Sequence, residues 1–383
     1  MIHRFAIKLA VFALPLILVF SFIIIMGLYI GELLPMQYVI NQQTHTLTER
    51  VYEPTWSDAD NIHFKFQSIV MRNPDVLVLG SSRMHFFRST FINRQPETFY
   101  NASIPNLDPY ETRRIVDELA SRHQLPPIIL LGIDPPYFNA NTANTIMLEN
   151  SITDVAPDIV DNFVRFYEDI REVTRMMLLE PDKFRLFLSR RHTNDHIRWG
   201  LSTLDTNYGF RNDGSYYLGT DLSSLTRRRI QRHLNAFNDR TWMYSTWTQL
   251  EDQAFEQYNT ILQVAQAHDS IVIGIVPPYQ ESMHNSMMAS DDFAKLPVAM
   301  VHLDTLFASY NMPLHRYEIP QNIGGADNEL YDTWHPGEVL SLRIFLDLVN
   351  AHPDVFQQYT NVESLETLLT ESIDPLYLYG INP

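Results

Sequence analysis

From Leu9 to Ile30 the chain runs Leu-Ala-Val-Phe-Ala-Leu-Pro-Leu-Ile-Leu-Val-Phe and onward without a single charge. A bilayer core offers no water to backbone N–H and C=O groups, so a lone spanning segment must satisfy them internally as a helix of about 20 residues. The run therefore predicts a transmembrane helix. A cleaved signal peptide would carry a shorter apolar core, about 7 to 15 residues, ahead of a small-x-small site. Gly31-Glu32-Leu33-Leu34-Pro35 offers no such site. His3, Arg4 and Lys8 precede the run, so the positive-inside rule leaves the N-terminus in the cytoplasm and the bulk of the chain outside it, on the periplasmic side of an inner membrane. Pro15 predicts a kink within the span.

Beyond the span, 383 residues with 45% hydrophobic side chains suffice for one large domain or two, each with a buried core. A formal net charge of -17 argues against a nucleic-acid partner, because phosphate binding requires a positive surface. The absence of cysteine removes disulfides, thiol catalysis and cysteine-ligated zinc. There is no phosphate-cradling glycine-rich loop, and no cofactor is expected.

Asp75-Val-Leu-Val-Leu-Gly80-Ser81-Ser82-Arg83 is a short buried-strand pattern that stops at a glycine and two hydroxyl residues, the signature of a parallel strand opening into a helix N-terminus. Phe99 to Asn101 and Pro127 to Asp134 repeat it, with helical spacing from Tyr110 to His123 between them. Ser270 to Val276 adds the clearest strand, flanked by helical patterns at 250–268 and 291–310. This alternation predicts a doubly wound α/β domain with a parallel sheet. The expected organisation is an anchor at 1–35, a stalk at 36–73, a domain at 74–350 interrupted by a largely helical insertion at about 138–260, and an irregular acidic tail at 351–383. Within the insertion, 158–179 and 181–191 read as amphipathic helices and 207–217 as a loop or short hairpin; Glu281 to Ser290 reads as a weakly ordered loop.

Strand ends at Gly80, Asn101 and Gly132 should meet at the carboxyl edge of such a sheet, where ligands bind in open α/β folds. Far along the chain, Tyr331-Asp332-Thr333-Trp334-His335-Pro336-Gly337 places a carboxylate and an imidazole three residues apart in a turn before a helix. A serine hydroxyl needs a base to take its proton, and the base needs a third group to fix its tautomer. Ser81 or Ser82 is the candidate nucleophile, His335 the base and Asp332 its orienting partner. The alternative for both serines is simply to cap the helix.

A strand-terminal Gly-Ser-Ser paired with a late Asp-x-x-His resembles the SGNH (GDSL-like) hydrolase superfamily; aligning Gly80-Ser81-Ser82 with that family's Gly-Asp-Ser implies Ser82 as the nucleophile, with Ser81 as the alternative. Within it, the arrangement looks most like the membrane-anchored branch typified by the teichoic-acid D-alanylation protein DltD and the alginate O-acetylation proteins. The resemblance covers about 74–138 and 270–350. It implies a three-layer flavodoxin-like fold and acyl transfer or deacylation on a cell-envelope polysaccharide, often beside a multi-spanning membrane O-acyltransferase. It also implies oxyanion donors after the second and third strands. There the present loops carry Asn101-Ala102-Ser103 and Gly132-Ile133-Asp134; Asn101 or Ser103 could supply a donor. An ionised Asp134 beside an oxyanion would repel it, so Asp134 should turn away toward Arg83 or a backbone turn, be protonated, or mark a site that is not hydrolytic in the usual way.

Arg83 and His85 could meet an anionic substrate or act as a rival base, though surface or packing roles are the simpler expectation. His192 and His196 have the i,i+4 spacing of a helical metal pair but lack the usual motif and a third ligand. Arg227-Arg228-Arg229 reads as a solvated helix face. Tyr216 and Tyr217 could line a sugar groove or pack in a core. Three functions are carried forward: an envelope-polysaccharide serine acyltransferase or esterase, a catalytically silent scaffold of the same fold, and a free-standing lipase or thioesterase.

Overall fold

The computed structural model describes residues 2–55, 58–142, 159–191, 196–219 and 223–378. Its strands are β1 (Glu49–Tyr52), β2 (Val76–Leu79), β3 (Phe99–Asn101), β4 (Ile128–Gly132), β5 (His196–Trp199), β6 (Gly209–Phe210), β7 (Tyr216–Tyr217), β8 (Ile271–Val276) and β9 (Leu314–Arg316). Helices α1 to α7 are Ile2–Ile30, Met36–His45, Asp58–Arg72, Pro109–Ser121, Ile159–Leu179, Pro181–Arg190 and Leu201–Thr206. Helices α8 to α14 are Ser223–Asn238, Asp252–Ala267, Glu281–Met288, Leu296–Ser309, Glu338–Ala351, Pro353–Phe356 and Val362–Glu371.

The described residues fall into two compact units: 2–64, 159–212 and 216–219 form one, and 65–142, 213–215 and 223–378 the other.

In the first unit, Ile7–Ile30 of α1 is long and apolar enough to cross a membrane. The last turns of α1 contribute Ile30, with Ile23 and Met26 beside it, to a small core with Val173, Met176, Phe184, Phe187, Leu201 and Leu204. The segment read as a stalk is ordered. It supplies α2, β1 and the start of α3, and β1 pairs in parallel with β5 (Glu49 opposite His196) and antiparallel with β6, which in turn pairs with β7. The expected hairpin near 207–217 is thus present. The insertion is not one body, since 223–260 belongs with the second unit.

The second unit contains a five-stranded parallel sheet in the order β3-β2-β4-β8-β9. By chain order within this sheet that is 2-1-3-4-5, one of the two common orders of doubly wound sheets. Alternate strand residues Val76, Val78, Ile128, Leu130, Ile273 and Ile275 share a core with Leu342, Phe345 and Val349 of α12. The residues between them, Leu77, Leu79, Ile129, Leu131 and Val272, are buried as well, as expected where both faces of a parallel sheet are covered. Helix α4 starts on a capping box, with Asp108 accepting from the Glu111 amide and Glu111 returning to the Asp108 amide.

Two expectations fail here. Residues 281–288, read as a loop for their polarity, form α10, which buries Met283 and Met287. The acidic tail is structural: Phe356, Tyr359, Leu365 and Leu378 complete the α12 core. Val362, Leu365, Leu368 and Leu369 carry a helical spacing that its acidic composition masked, and they pack on this core. Phe356→Ala is therefore expected to cost about 3–5 kcal/mol, read as a lowered denaturant midpoint of the detergent-solubilised protein.

Candidate active site

The chain leaves β2 through Gly80, whose φ of 145° no side chain adopts readily. A Cβ at Gly80 would lie 3.0 Å from the Gly132 backbone at the end of β4, so both glycines let the next turn settle onto the neighbouring strand. That turn is a single 3-10 turn, Ser82–Met84, rather than the helix expected. Ser81 caps it, accepting from the Arg83 amide at 3.2 Å, and is buried. This fixes Ser81 as the cap and leaves Ser82, half-buried, to face the site.

Ser82 Oγ lies 2.9 Å from His335 Nε2, and His335 Nδ1 lies 2.7 Å from Asp332 Oδ2. Asp332 Oδ1 accepts the backbone amides of Trp334 and His335 at 3.1 and 3.0 Å. These local bonds explain why the Asp-x-x-His spacing works: the carboxylate shapes the very turn that carries the imidazole. With its Nδ1 proton directed at Asp332, neutral His335 offers the Nε2 lone pair to the Ser82 hydroxyl. Burial would raise the Asp332 pKa, but His335 and His233 beside it hold it well below the ordinary carboxylate range. Burial lowers that of His335, and although Asp332 opposes this the net direction is down.

Arg83, Asn101, Ser103 and Asp134 sit around the triad but do not open onto it. Arg83 is fully buried. Its guanidinium pairs with Asp134 at 3.3 Å and donates to the carbonyls of Trp334 (3.1 Å), Pro277 and Pro278 (3.1 Å). It also lies over the rings of Tyr279 and Trp334. Asp134 thus takes the first of the three courses left open for it. Of the surface or packing roles expected for Arg83 and His85, the structure shows packing: both are buried.

Asn101 donates through Nδ2 to the carbonyls of Met84 and Phe87 at 2.8 and 2.9 Å, and its Oδ1 accepts from the Ser103 amide and hydroxyl. Neither residue has a donor left for an oxyanion, which corrects the role open to them. With its proton occupied, Ser103 Oγ can only accept from His85 Nδ1, 3.0 Å away. Burial, then the nearby Lys65, His335 and Arg229, keep His85 neutral far below the ordinary histidine range. Among the described residues the Ser82 amide makes no internal hydrogen bond and remains as an oxyanion donor.

Three contributors escaped the sequence reading. His233 Nε2 and Arg229 lie 3.7 and 4.0 Å from Asp332 Oδ2, and Tyr244 bridges His233 Nδ1 (3.2 Å) and Thr333 Oγ1 (3.3 Å). Arg229 is thus not merely solvated; its guanidinium also covers the ring of Tyr331. The only sequence signal was the four-residue spacing from Arg229 to His233, which puts both on one helix face.

His233, Asp332 and His335 are the one group among the described residues whose ligand atoms lie within 4.8 Å of one another as a metal site requires. The 2.7 Å contact between His335 and Asp332 is a hydrogen bond, shorter than the roughly 3.4 Å between ligands of a tetrahedral zinc, and Arg229 already brings a positive charge to the same oxygen. The donor set fits a triad better than a cation. His192 lies outside the described residues; Tyr216 and Tyr217 belong to the first unit, where Tyr216 donates to Glu53 at 2.8 Å. Compared with known proteins, the chain matches no family model and no curated protein.

Removing Arg83 would leave Asp134 a buried carboxylate without its cation. Arg83→Met is expected to cost about 3–5 kcal/mol, and Arg83→Met with Asp134→Asn to recover part of the loss, both read from denaturant midpoints.

Proposed function

We propose that the chain is a membrane-anchored, extracytoplasmic serine acyltransferase or esterase of SGNH type that acts on an acyl group, of the acetyl class, of a cell-envelope polysaccharide. The observation that carries this reading is the continuous line Ser82 Oγ, His335 Nε2 and Nδ1, Asp332 Oδ2, with steps of 2.9 and 2.7 Å, at the carboxyl edge of a parallel sheet. In the proposed reaction His335 Nε2 takes the Ser82 proton as Oγ attacks the acyl carbonyl. The Ser82 amide faces the resulting oxyanion, and the imidazolium returns the proton to the departing alkoxide, leaving acyl-Ser82. A sugar hydroxyl or water then attacks this ester with His335 again as base, and Ser82 is regenerated. The apolar helix Ile7–Ile30 would tether the domain with the N-terminus in the cytoplasm, raising its effective concentration beside a membrane O-acyltransferase.

A specific observation also favours the scaffold reading: Asn101, Ser103 and Asp134 are all engaged internally, so donors that resemblance would assign to the oxyanion are lacking. Under that reading the same fold binds the polymer or the partner acyltransferase without turning over.

Fluorophosphonate labelling separates the two. The enzyme reading expects labelling that is lost in Ser82→Ala, retained in Ser81→Ala, and slowed roughly 10⁴-fold in Asp332→Asn; absence of labelling in folded protein favours the scaffold. Because the base must be neutral to act and its pKa is lowered, the acid limb of the labelling rate is expected below the ordinary histidine value of about 6.5, measured as rate against pH.

A further inference from the structure

We propose that His233, on α8, is a positioning residue for the triad carboxylate, acting with Arg229 one helical turn earlier. The inference rests on the Ser82-His335-Asp332 triad of the preceding reading and adds to it a second imidazole. Asp332 Oδ2, the oxygen that holds His335, is also 3.7 Å from His233 Nε2 and 4.0 Å from Arg229.

His233 is almost completely buried, so its two ring nitrogens must find polar partners within the fold. Those partners belong to the triad loop and to the turn packed against it. Nδ1 lies 3.2 Å from the Tyr244 hydroxyl, which also reaches Thr333 Oγ1 at 3.3 Å, beside Asp332 in the triad loop. Burial holds the Tyr244 phenol protonated, so it can donate to His233 Nδ1 and leave the His233 proton on Nε2, toward Asp332. The ring is also stacked on Trp242, 5.5 Å between centroids, which fixes its plane.

At 3.7 Å the contact with Asp332 is electrostatic rather than a formed hydrogen bond. Its effect is directional. A positive edge and a guanidinium on the carboxylate oppose the pull of Asp332 on the His335 proton, so His335 remains a free base at lower pH. The charged and titratable groups around this contact are Asp332 and His335 on the loop, Tyr244 on the turn before it, and Arg229 on the same helix. His85 and Arg83, from the turn after β2, face His335 and Trp334.

The test is the rate of fluorophosphonate labelling of the full-length protein in detergent, followed against pH. In His233→Phe the acid limb is expected to move up by about half a unit to one unit and the plateau rate to fall about tenfold. Arg229 is a third exposed and its replacement spares the core. Arg229→Gln should shift the limb in the same direction, and Arg229→Lys should restore it. Profiles of folded His233→Phe and Arg229→Gln that superimpose on the wild type overturn this proposal and leave the triad standing. A wild type that does not label defeats the triad reading and this one with it. Stoichiometric Zn²⁺ that blocks wild-type labelling but not that of His233→Phe would make the cluster a metal site and likewise overturn the positioning role.

Discussion

One buried guanidinium holds the carboxyl end of the sheet together. Arg83 leaves the turn after β2 and reaches a carboxylate after β4, two carbonyls after β8 and a carbonyl of the triad loop. Four chain segments are thus fixed to one planar group. Placing such a charge in the interior costs several kcal/mol unless its hydrogen bonds and its counter-charge are supplied, and here the surrounding loops supply them. Those loops consequently have little freedom, and the distance from Ser82 to His335 is set by a neighbour of each: Arg83 follows Ser82, and Trp334 precedes His335.

The same economy of polar groups shapes what the site can do. Asn101 closes the turn at Met84 and Phe87, Ser103 closes Asn101, and His85 closes Ser103. Each satisfies a buried partner, and each is thereby removed from the list of groups that could meet a substrate. Under the proposed reading, the groups left to meet a substrate narrow to the Ser82 hydroxyl and amide, the His335 imidazole and Arg229, which is a third exposed.

Elements from outside the sheet grammar complete this arrangement. Helix α8 brings His233 and Arg229 to Asp332, and the turn at 242–244 brings Tyr244 between His233 and Thr333. The C-terminal helices α13 and α14 close the core beneath α12, the helix that follows the triad loop. Neither feature was read in advance: the basic run at 227–229 matches a solvated face, and the spaced apolar residues of the tail were outweighed by its acidic composition. In both cases the deciding information is which surface receives the side chain, and a linear pattern does not carry it.

By itself the sequence determined what depends on neighbours in the chain. The charge-free stretch through Ile30 can satisfy its backbone in lipid only as a helix, the strand patterns ending at Gly80, Asn101 and Gly132 give a parallel sheet, and Asp332 can orient His335 because three residues separate them. Tertiary structure decided what depends on distant partners. It brought Ser82 to His335 across 253 positions, chose Ser82 over Ser81 by making Ser81 the cap, and turned Asp134 onto Arg83. It also paired β1 with β5 from far along the chain. Strands such as β1 and β5, which lack an apolar run, and single buried charges carry almost no local signal, because the free energy that fixes them comes from groups the chain meets only after folding.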